Sequence, residues 1–198
     1  MIGAIILAAG EGKRMRRIKP LVKIDGKTML EMVIDKVRAS KIDERILVLG
    51  YMADTILSLL NFEGLKVVIN REFNEGMASS LALGIKALDK RCKACLIFLG
   101  DKPFFSVNTV NHLIDIYNEG KGEIILPKYK GERGHPVLFD KGYFKELVKL
   151  KGDIGAKSLI DKYKEKVFEV EVEDEGILID IDTEEDLKRV LKVKNLLT

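Results

Sequence analysis

Two distant stretches of the chain carry side chains suited to handling phosphate. Leu7-Ala8-Ala9-Gly10-Glu11-Gly12-Lys13-Arg14-Met15 is followed closely by Lys19-Pro20-Leu21. Small residues let backbone N–H groups approach an anion, and Lys13, Arg14 and Lys19 add positive charge beside them. Asp101, in Gly100-Asp101-Lys102-Pro103, and the spaced pair Asp180 and Asp182 offer the carboxylate oxygens that hard cations such as Mg²⁺ prefer. Cations together with metal-held carboxylates are what phosphoryl and nucleotidyl transfers need, because those reactions are catalysed by positioning and by neutralising charge. The common nucleotide loops do not fit. Met15 stands where a dinucleotide fingerprint has its third glycine, and no Walker pattern is present. On spacing alone the G-x-G is equally a solvated basic turn; the alternative for Asp101 is to cap a turn before Pro103, and of Asp180 and Asp182 one completes the metal site while the other caps a helix opening at Thr183.

Bringing these groups together is the work of the elements between them. Apolar β-branched runs alternate with segments of helical period, which predicts an α/β fold: a Rossmann-like three-layer αβα sandwich around a predominantly parallel, mixed sheet. Strands are expected over Ile2–Ala9, Arg45–Leu49, Leu65–Ile69, Ala94–Leu99, Glu123–Leu126, Val167–Val172 and Gly176–Ile181. Helices are expected over Thr28–Ala39, with Thr28 and Glu31 as a capping box, and over Ala53–Leu60, Ser79–Leu88, Val107–Tyr117, Tyr143–Leu150, Ala156–Tyr163 and from Thr183. Lys128–Phe139 reads as a hairpin or excursion. Ligands of such sheets sit beyond the carboxyl ends of the strands, so Gly10 onward and Asp101 should share one rim. On an extended final segment Asp180 and Asp182 would face one way, with Ile179 and Ile181 facing the core.

Composition narrows the classes. The 198 residues, 46% hydrophobic, suit one domain spanning 1–198. The 34 basic and 31 acidic residues leave a net charge of +3, no global field for nucleic acid, and the basic cluster Lys13, Arg14, Arg16, Arg17 lacks interleaved aromatics. No apolar run reaches the ~20 residues of a membrane span, and a cytoplasmic protein is expected. Cys92 and Cys95 form a C-x-x-C without a second cysteine pair, which reads as structural.

The string Leu7-Ala8-Ala9-Gly10-x-Gly12-x-Arg14-Met15 with Lys19-Pro20-Leu21 resembles the signature of nucleotidyltransferases of the GT-A-like, nucleotide-diphospho-sugar transferase fold. Four further blocks are similar to the molybdopterin cytidylyltransferase branch, the MocA-like and MobA-like proteins. They are Asn70 to Leu81, Gly100-Asp101-Lys102-Pro103, Arg133-Gly134-His135-Pro136-Val137-Leu138-Phe139 and Gly152-Asp153-Ile154-Gly155-Ala156-Lys157, before Asp180-Ile181-Asp182-Thr183. The family commonly has glycine where Arg16 stands and glutamine where Lys102 stands.

The resemblance implies a Mg²⁺-dependent transfer from CTP, or from GTP in a close alternative, to a phosphorylated acceptor such as molybdopterin, with pyrophosphate released. A non-catalytic nucleotide-binding cofactor chaperone is the alternative of another class. Leu7, Ala8, Ala9, Gly10, Gly12 and Lys13 would cradle the triphosphate. Lys19 would stabilise charge on the α-phosphate, Arg14 would hold the leaving pyrophosphate, and Asn70, Gly76, Ser79 and Ser80 would line the base and ribose pocket. Asp101 would bind metal, completed by Asp180 or Asp182. Ser79 and Ser80 are equally helix caps, and Asp153 equally positions the acceptor or caps the helix after Ala156. His135 orients the acceptor or shapes its loop, since an ionised phosphate acceptor needs no general base. A molybdoenzyme or cofactor-handling protein would be a transient partner, with neither nucleic acid nor membrane involved.

Overall fold

Strand β1 (Ile2–Ala8) is buried at every residue, as an unbroken apolar run must be when helices cover both faces of its sheet. In the computed structural model, which describes residues 1–12 and 18–195, β1 lies inside an eight-stranded sheet. The sheet also contains β4 (Glu44–Leu49), β5 (Lys66–Ile69), β6 (Ala94–Leu99), β7 (Ile124–Tyr129), β9 (Val137–Asp140) and β10 (Val167–Glu171), in the order β10-β7-β9-β6-β1-β4-β5. The short β8 (Glu132–Arg133) pairs with β7. All pairings along the main path are parallel except those of β9, which runs antiparallel to β6 and to β7. The expected Lys128–Phe139 excursion is thus the turn that reverses β9. A separate two-stranded hairpin joins β2 (Lys23–Ile24) to β3 (Lys27–Thr28).

Alternate residues of β1 point to opposite layers, as the two-residue period dictates. Ile2, Ala4, Ile6 and Ala8 pack with α1 (Met29–Ala39), α2 (Ala53–Leu59) and α4 (Val107–Asn118). Ile5, Leu7 and Ala9 pack with α3 (Met77–Ala87), α5 (Phe144–Leu147) and α6 (Lys157–Lys162). This is the three-layer sandwich read from the sequence. The capping box of α1 is present: the Thr28 hydroxyl accepts from Glu31 N–H, and the Glu31 carboxylate accepts from Thr28 N–H.

A third apolar cluster matters for the site. Val22, Ile24 and Met29 of the hairpin region bury Ile181 and Leu187, which binds α7 (Glu184–Asn195) and the segment before it to the rim of the sheet. That segment is not the expected strand. Glu175–Ile177 forms a 3₁₀ turn and residues 178–183 are irregular. Ile177 belongs to the main core and Ile181 to the hairpin cluster, so two apolar residues that mimic strand periodicity are anchored in different places. Asp180 and Asp182 are therefore held by the burial of Ile181 and not by a strand. Among the described residues, no helix is long and apolar enough to cross a membrane.

Candidate functional site

Strands β1 and β6 are neighbours in register from Ile2↔Ala94 to Leu7↔Leu99, so the segments leaving their carboxyl ends emerge side by side. Gly100 N–H donates to the Leu7 carbonyl at 2.9 Å. A Cβ at Gly100 would lie 2.9 Å from Ala8 Cβ, so glycine is what lets the two strands close up where Asp101 begins. Beyond this junction lies a cleft of about 470 Å³, lined on one side by Leu7, Ala8, Ala9, Gly10, Glu11 and Gly12 and on another by Leu99, Gly100 and Asp101. Gly12 has φ 61°, a left-handed conformation that favours glycine. Lys13 and Arg14, expected on this loop, lie outside the described residues, as does Arg16.

Lys19 opens a short 3₁₀ turn with Pro20 and Leu21, is buried and reaches the acidic side of the cleft. Its Nζ donates to Asp101 Oδ2 at 2.6 Å and to Asp182 Oδ1 at 2.5 Å. Burial by itself would lower the pKa of this ammonium, but Asp101 and then Asp182 outweigh it and the net shift is upward. Asp101, Asp180 and Asp182 each bring a carboxylate oxygen within 4.8 Å of the others. Of the three, Asp101 and Asp182 line the cleft, and oxygen donors so grouped suit a divalent cation shared with phosphate. Lys102 pairs with Asp180 at 3.0 Å.

Asp182 pairs with Lys19, and the start of α7 has caps of its own. Thr183 and Asp186 cap the start of α7 reciprocally: Asp186 N–H donates to Thr183 Oγ1, while Asp186 Oδ2 accepts from Thr183 N–H and from its hydroxyl. Asp186 Oδ2 also lies 3.3 Å from Asp182 N–H, its donor. The signal was in the sequence, since Thr183-Glu184-Glu185-Asp186 has the spacing of a capping box.

The far side of the cleft is built by the start of α3. Gly76 and Ser80 line it together with Phe73, Asn74, Met77 and Asp153. Asn70 and Ser79, expected in the base pocket, are not among its lining residues. The Asn70 amide donates to both Ser79 Oγ and Ser80 Oγ, and its Oδ1 accepts from Glu72 N–H, so Asn70 holds the loop before α3 in shape. Neither serine caps α3, which begins at Met77 with Gly76 at the cap position. Asp153 does not cap α6, whose cap position is Ala156 with no side-chain bond. It reaches the first residue of α3 instead.

His135 is half-buried and lies outside the cleft lining, with its Nδ1 enclosed and without a hydrogen-bond partner. Burial, and then Lys102, hold its pKa down to about 4 against the opposing pull of Asp101, so the ring is neutral near pH 7. Cys92 and Cys95 are buried thiols in the β6 region, and burial pushes Cys92 up to about 12 and Cys95 upward as well, which leaves both unreactive. Phe73, Asn74 and Met77 were not singled out in the sequence. Phe73 is placed edge-on to Tyr51 with ring centroids 6.1 Å apart, a contact between distant segments that no local pattern announces.

A family model described as the MobA-like NTP transferase domain matches residues 4–167. Among curated proteins, the chain is 29% identical to the nicotine blue oxidoreductase of Paenarthrobacter nicotinovorans, over 96% of each. It is also 29% identical to the bifunctional protein GlmU of Halalkalibacterium halodurans over 75% of this chain, spanning only 33% of that longer protein. Among solved structures, Rv0371c of Mycobacterium tuberculosis H37Rv superposes with a TM-score of 0.88 at 30% identity, covering 96% of this chain and 97% of that one. A second structure of Rv0371c, a complex with manganese, gives a TM-score of 0.84 at 29% identity, over 96% and 98%.

Proposed function

Because the chain belongs to the MobA-like NTP transferase family and is a nucleotidyltransferase, we propose that it transfers a cytidylyl group from CTP to the terminal phosphate of a molybdopterin-type acceptor. Family members bind nucleoside triphosphates and phosphorylated acceptors. The observation that carries the reading is the meeting of the β1 loop, Lys19, Asp101 and Asp182 at one cleft.

In this reading an acceptor phosphate oxygen attacks the α-phosphorus of CTP. The new P–O bond forms as the bond from the α-phosphorus to the bridging oxygen breaks, and pyrophosphate leaves with the bonding pair. The acceptor is already ionised, so no general base is required, which agrees with a neutral His135 outside the cleft. Backbone N–H groups of the Ala8–Gly12 stretch orient the polyphosphate, and Lys19 neutralises charge as it grows on the transferring group. A divalent cation, Mg²⁺ here, would be held by Asp101 with a second aspartate and would screen the phosphate oxygens when bound; a manganese complex of Rv0371c is consistent with such a centre. Phe73 and Met77 offer apolar surface at the opposite end, suited to a planar ring. Lys13 and Arg14 would contribute further phosphate contacts, Asp153 would serve the acceptor side, and His135, outside the cleft, would shape its own loop.

The test is to incubate the purified chain with each of the four NTPs, Mg²⁺ and molybdopterin, following pyrophosphate and the dinucleotide product. Turnover with CTP is the expected result, turnover with GTP alone changes the donor, and nucleotide binding without pyrophosphate release supports a cofactor chaperone instead. The relative named nicotine blue oxidoreductase, matched over 96% of its length, raises a redox activity as a second reading. Reduction of an added dye by NADH or NADPH, with no release of pyrophosphate from any NTP, would replace the transferase reading.

A further inference from the structure

The three aspartates of the cluster stand in unequal surroundings. Asp101 and Asp182 share the Lys19 ammonium, whereas Asp180 is engaged by Lys102. In that second pair the cation is the enclosed partner, with 16% of the Lys102 side chain exposed against 43% for Asp180. An ammonium so far withdrawn from water needs a counter-charge held against it. Lys19 has an alternative, because it faces a cleft where a polyphosphate offers other oxygens. Lys102 has none of that kind, because it does not line the cleft. Withdrawing Asp180 to a metal would leave Lys102 uncompensated beside a doubly charged ion, and like charges at such range repel strongly.

We infer that Asp180 is the dedicated counter-ion of Lys102 and does not ligate the divalent cation, which is left to Asp101 and Asp182. Lys102 is thereby a positioning residue: it fixes how much negative charge the centre presents. The inference rests on reading Asp101 as a metal carboxylate. With Asp180 neutralised, two carboxylates face the cation, so the protein alone holds Mg²⁺ or Mn²⁺ weakly and substrate oxygens complete the coordination.

The experiment is a titration of the full chain with Mn²⁺ alone, read by electron paramagnetic resonance, which reports free ion without any turnover. Parent, Asp101→Asn, Lys102→Gln, Asp180→Asn and the double variant Lys102→Gln/Asp180→Asn are compared after circular dichroism confirms folding. Lys102→Gln should tighten Mn²⁺ binding at least three-fold by releasing Asp180, and Asp180→Asn should weaken it by exposing the ion to an unpaired ammonium. The double variant, which exchanges a neutralised pair for a neutral one, should return to within three-fold of the parent. A double variant weaker than that would make Asp180 a ligand and overturn the inference. Unaltered Mn²⁺ affinity in Asp101→Asn would remove the metal reading itself, and the inference with it.

Discussion

Asp153 and Met77 are joined across 76 positions of sequence by one hydrogen bond, in which Asp153 Oδ1 accepts from the Met77 backbone N–H at 3.1 Å. Met77 is the first residue of α3, and a helix leaves its opening N–H groups without intrahelical partners. A carboxylate there satisfies one such donor and lies favourably in the helix dipole. The bond therefore ties the Gly152–Ile154 turn to the wall of the cleft.

Asp153→Ala should cost about 1 kcal/mol, the usual worth of a helix cap, while Asp153→Asn should cost only a few tenths. Urea denaturation checks both. The same series should show a raised KM in the alanine variant, since the turn lies on the cleft. Equal stability of the parent and alanine proteins would mean that the bond does not persist in solution.

The backbone approach at this junction is tighter still. Gly76 has φ 96°, and a Cβ there would lie 2.5 Å from the carbonyl carbon of Gly152. Gly76→Ala combines left-handed strain with a clash against backbone that cannot rotate away, and should cost about 2 kcal/mol or more. Gly64 is the control. Its φ is 75° with no atom within 4 Å of a built Cβ, so Gly64→Ala should cost only about 1 kcal/mol of strain. Equal losses in the two variants would show that the contact with Gly152 adds nothing.

These contacts also mark where reading from sequence ends. The strands and α1 were legible because their information is local: apolar runs of the right length and a Thr28–Glu31 box three residues apart. The Gly100–Asp101 rim followed from the rule that ligands sit beyond strand ends. What did not follow are pairings across long separations, such as Lys19 with Asp101 and Asp182, 82 and 163 positions apart. Asp153 reads from sequence as positioning an acceptor or capping the helix after Ala156, and neither reading reaches Met77. The segment before α7 reads as a strand with Ile179 and Ile181 facing the core, whereas the buried pair is Ile177 and Ile181, in two different cores. Met77, exposed on the cleft wall, has no local signature beyond following a glycine.

Acid should destabilise the fold in a manner that traces to identified carboxylates. Glu31 is held below its ordinary value of 4.5 by the Thr28 hydroxyl and then the Thr28 N–H, and Glu169 below the same value by Lys128 and then Arg133. A lowered folded pKa means that the contribution is complete above the ordinary value and is lost as pH falls through the folded one. Thermal melts between about pH 3 and pH 7 should be level at the upper end and fall steeply below about pH 4.5. Glu31→Gln should flatten part of that fall. An unchanged acid limb in this variant would assign the loss to other groups.

Lys19 joins the two functions of the site, and its replacement should separate them. As the ammonium nearest both Asp101 and Asp182, it is the group placed to neutralise charge on a transferring phosphate, a role worth on the order of 3 kcal/mol at comparable sites. Lys19→Met should therefore lower kcat by about 10²-fold or more, with a smaller change in KM. Its raised pKa keeps the residue charged up to and beyond its ordinary 10.5, so activity should show no loss from lysine deprotonation near pH 9, and the stability it contributes should fade only as pH rises through the still higher folded value. Removing the cation leaves Asp101 and Asp182 facing each other uncompensated, which should lower Tm in chelator. Because Mn²⁺ then meets no competing ammonium, it should raise the Tm of Lys19→Met by more than it raises that of the parent. A variant with normal kcat, or one whose Tm ignores Mn²⁺, would place the lysine outside the reacting centre.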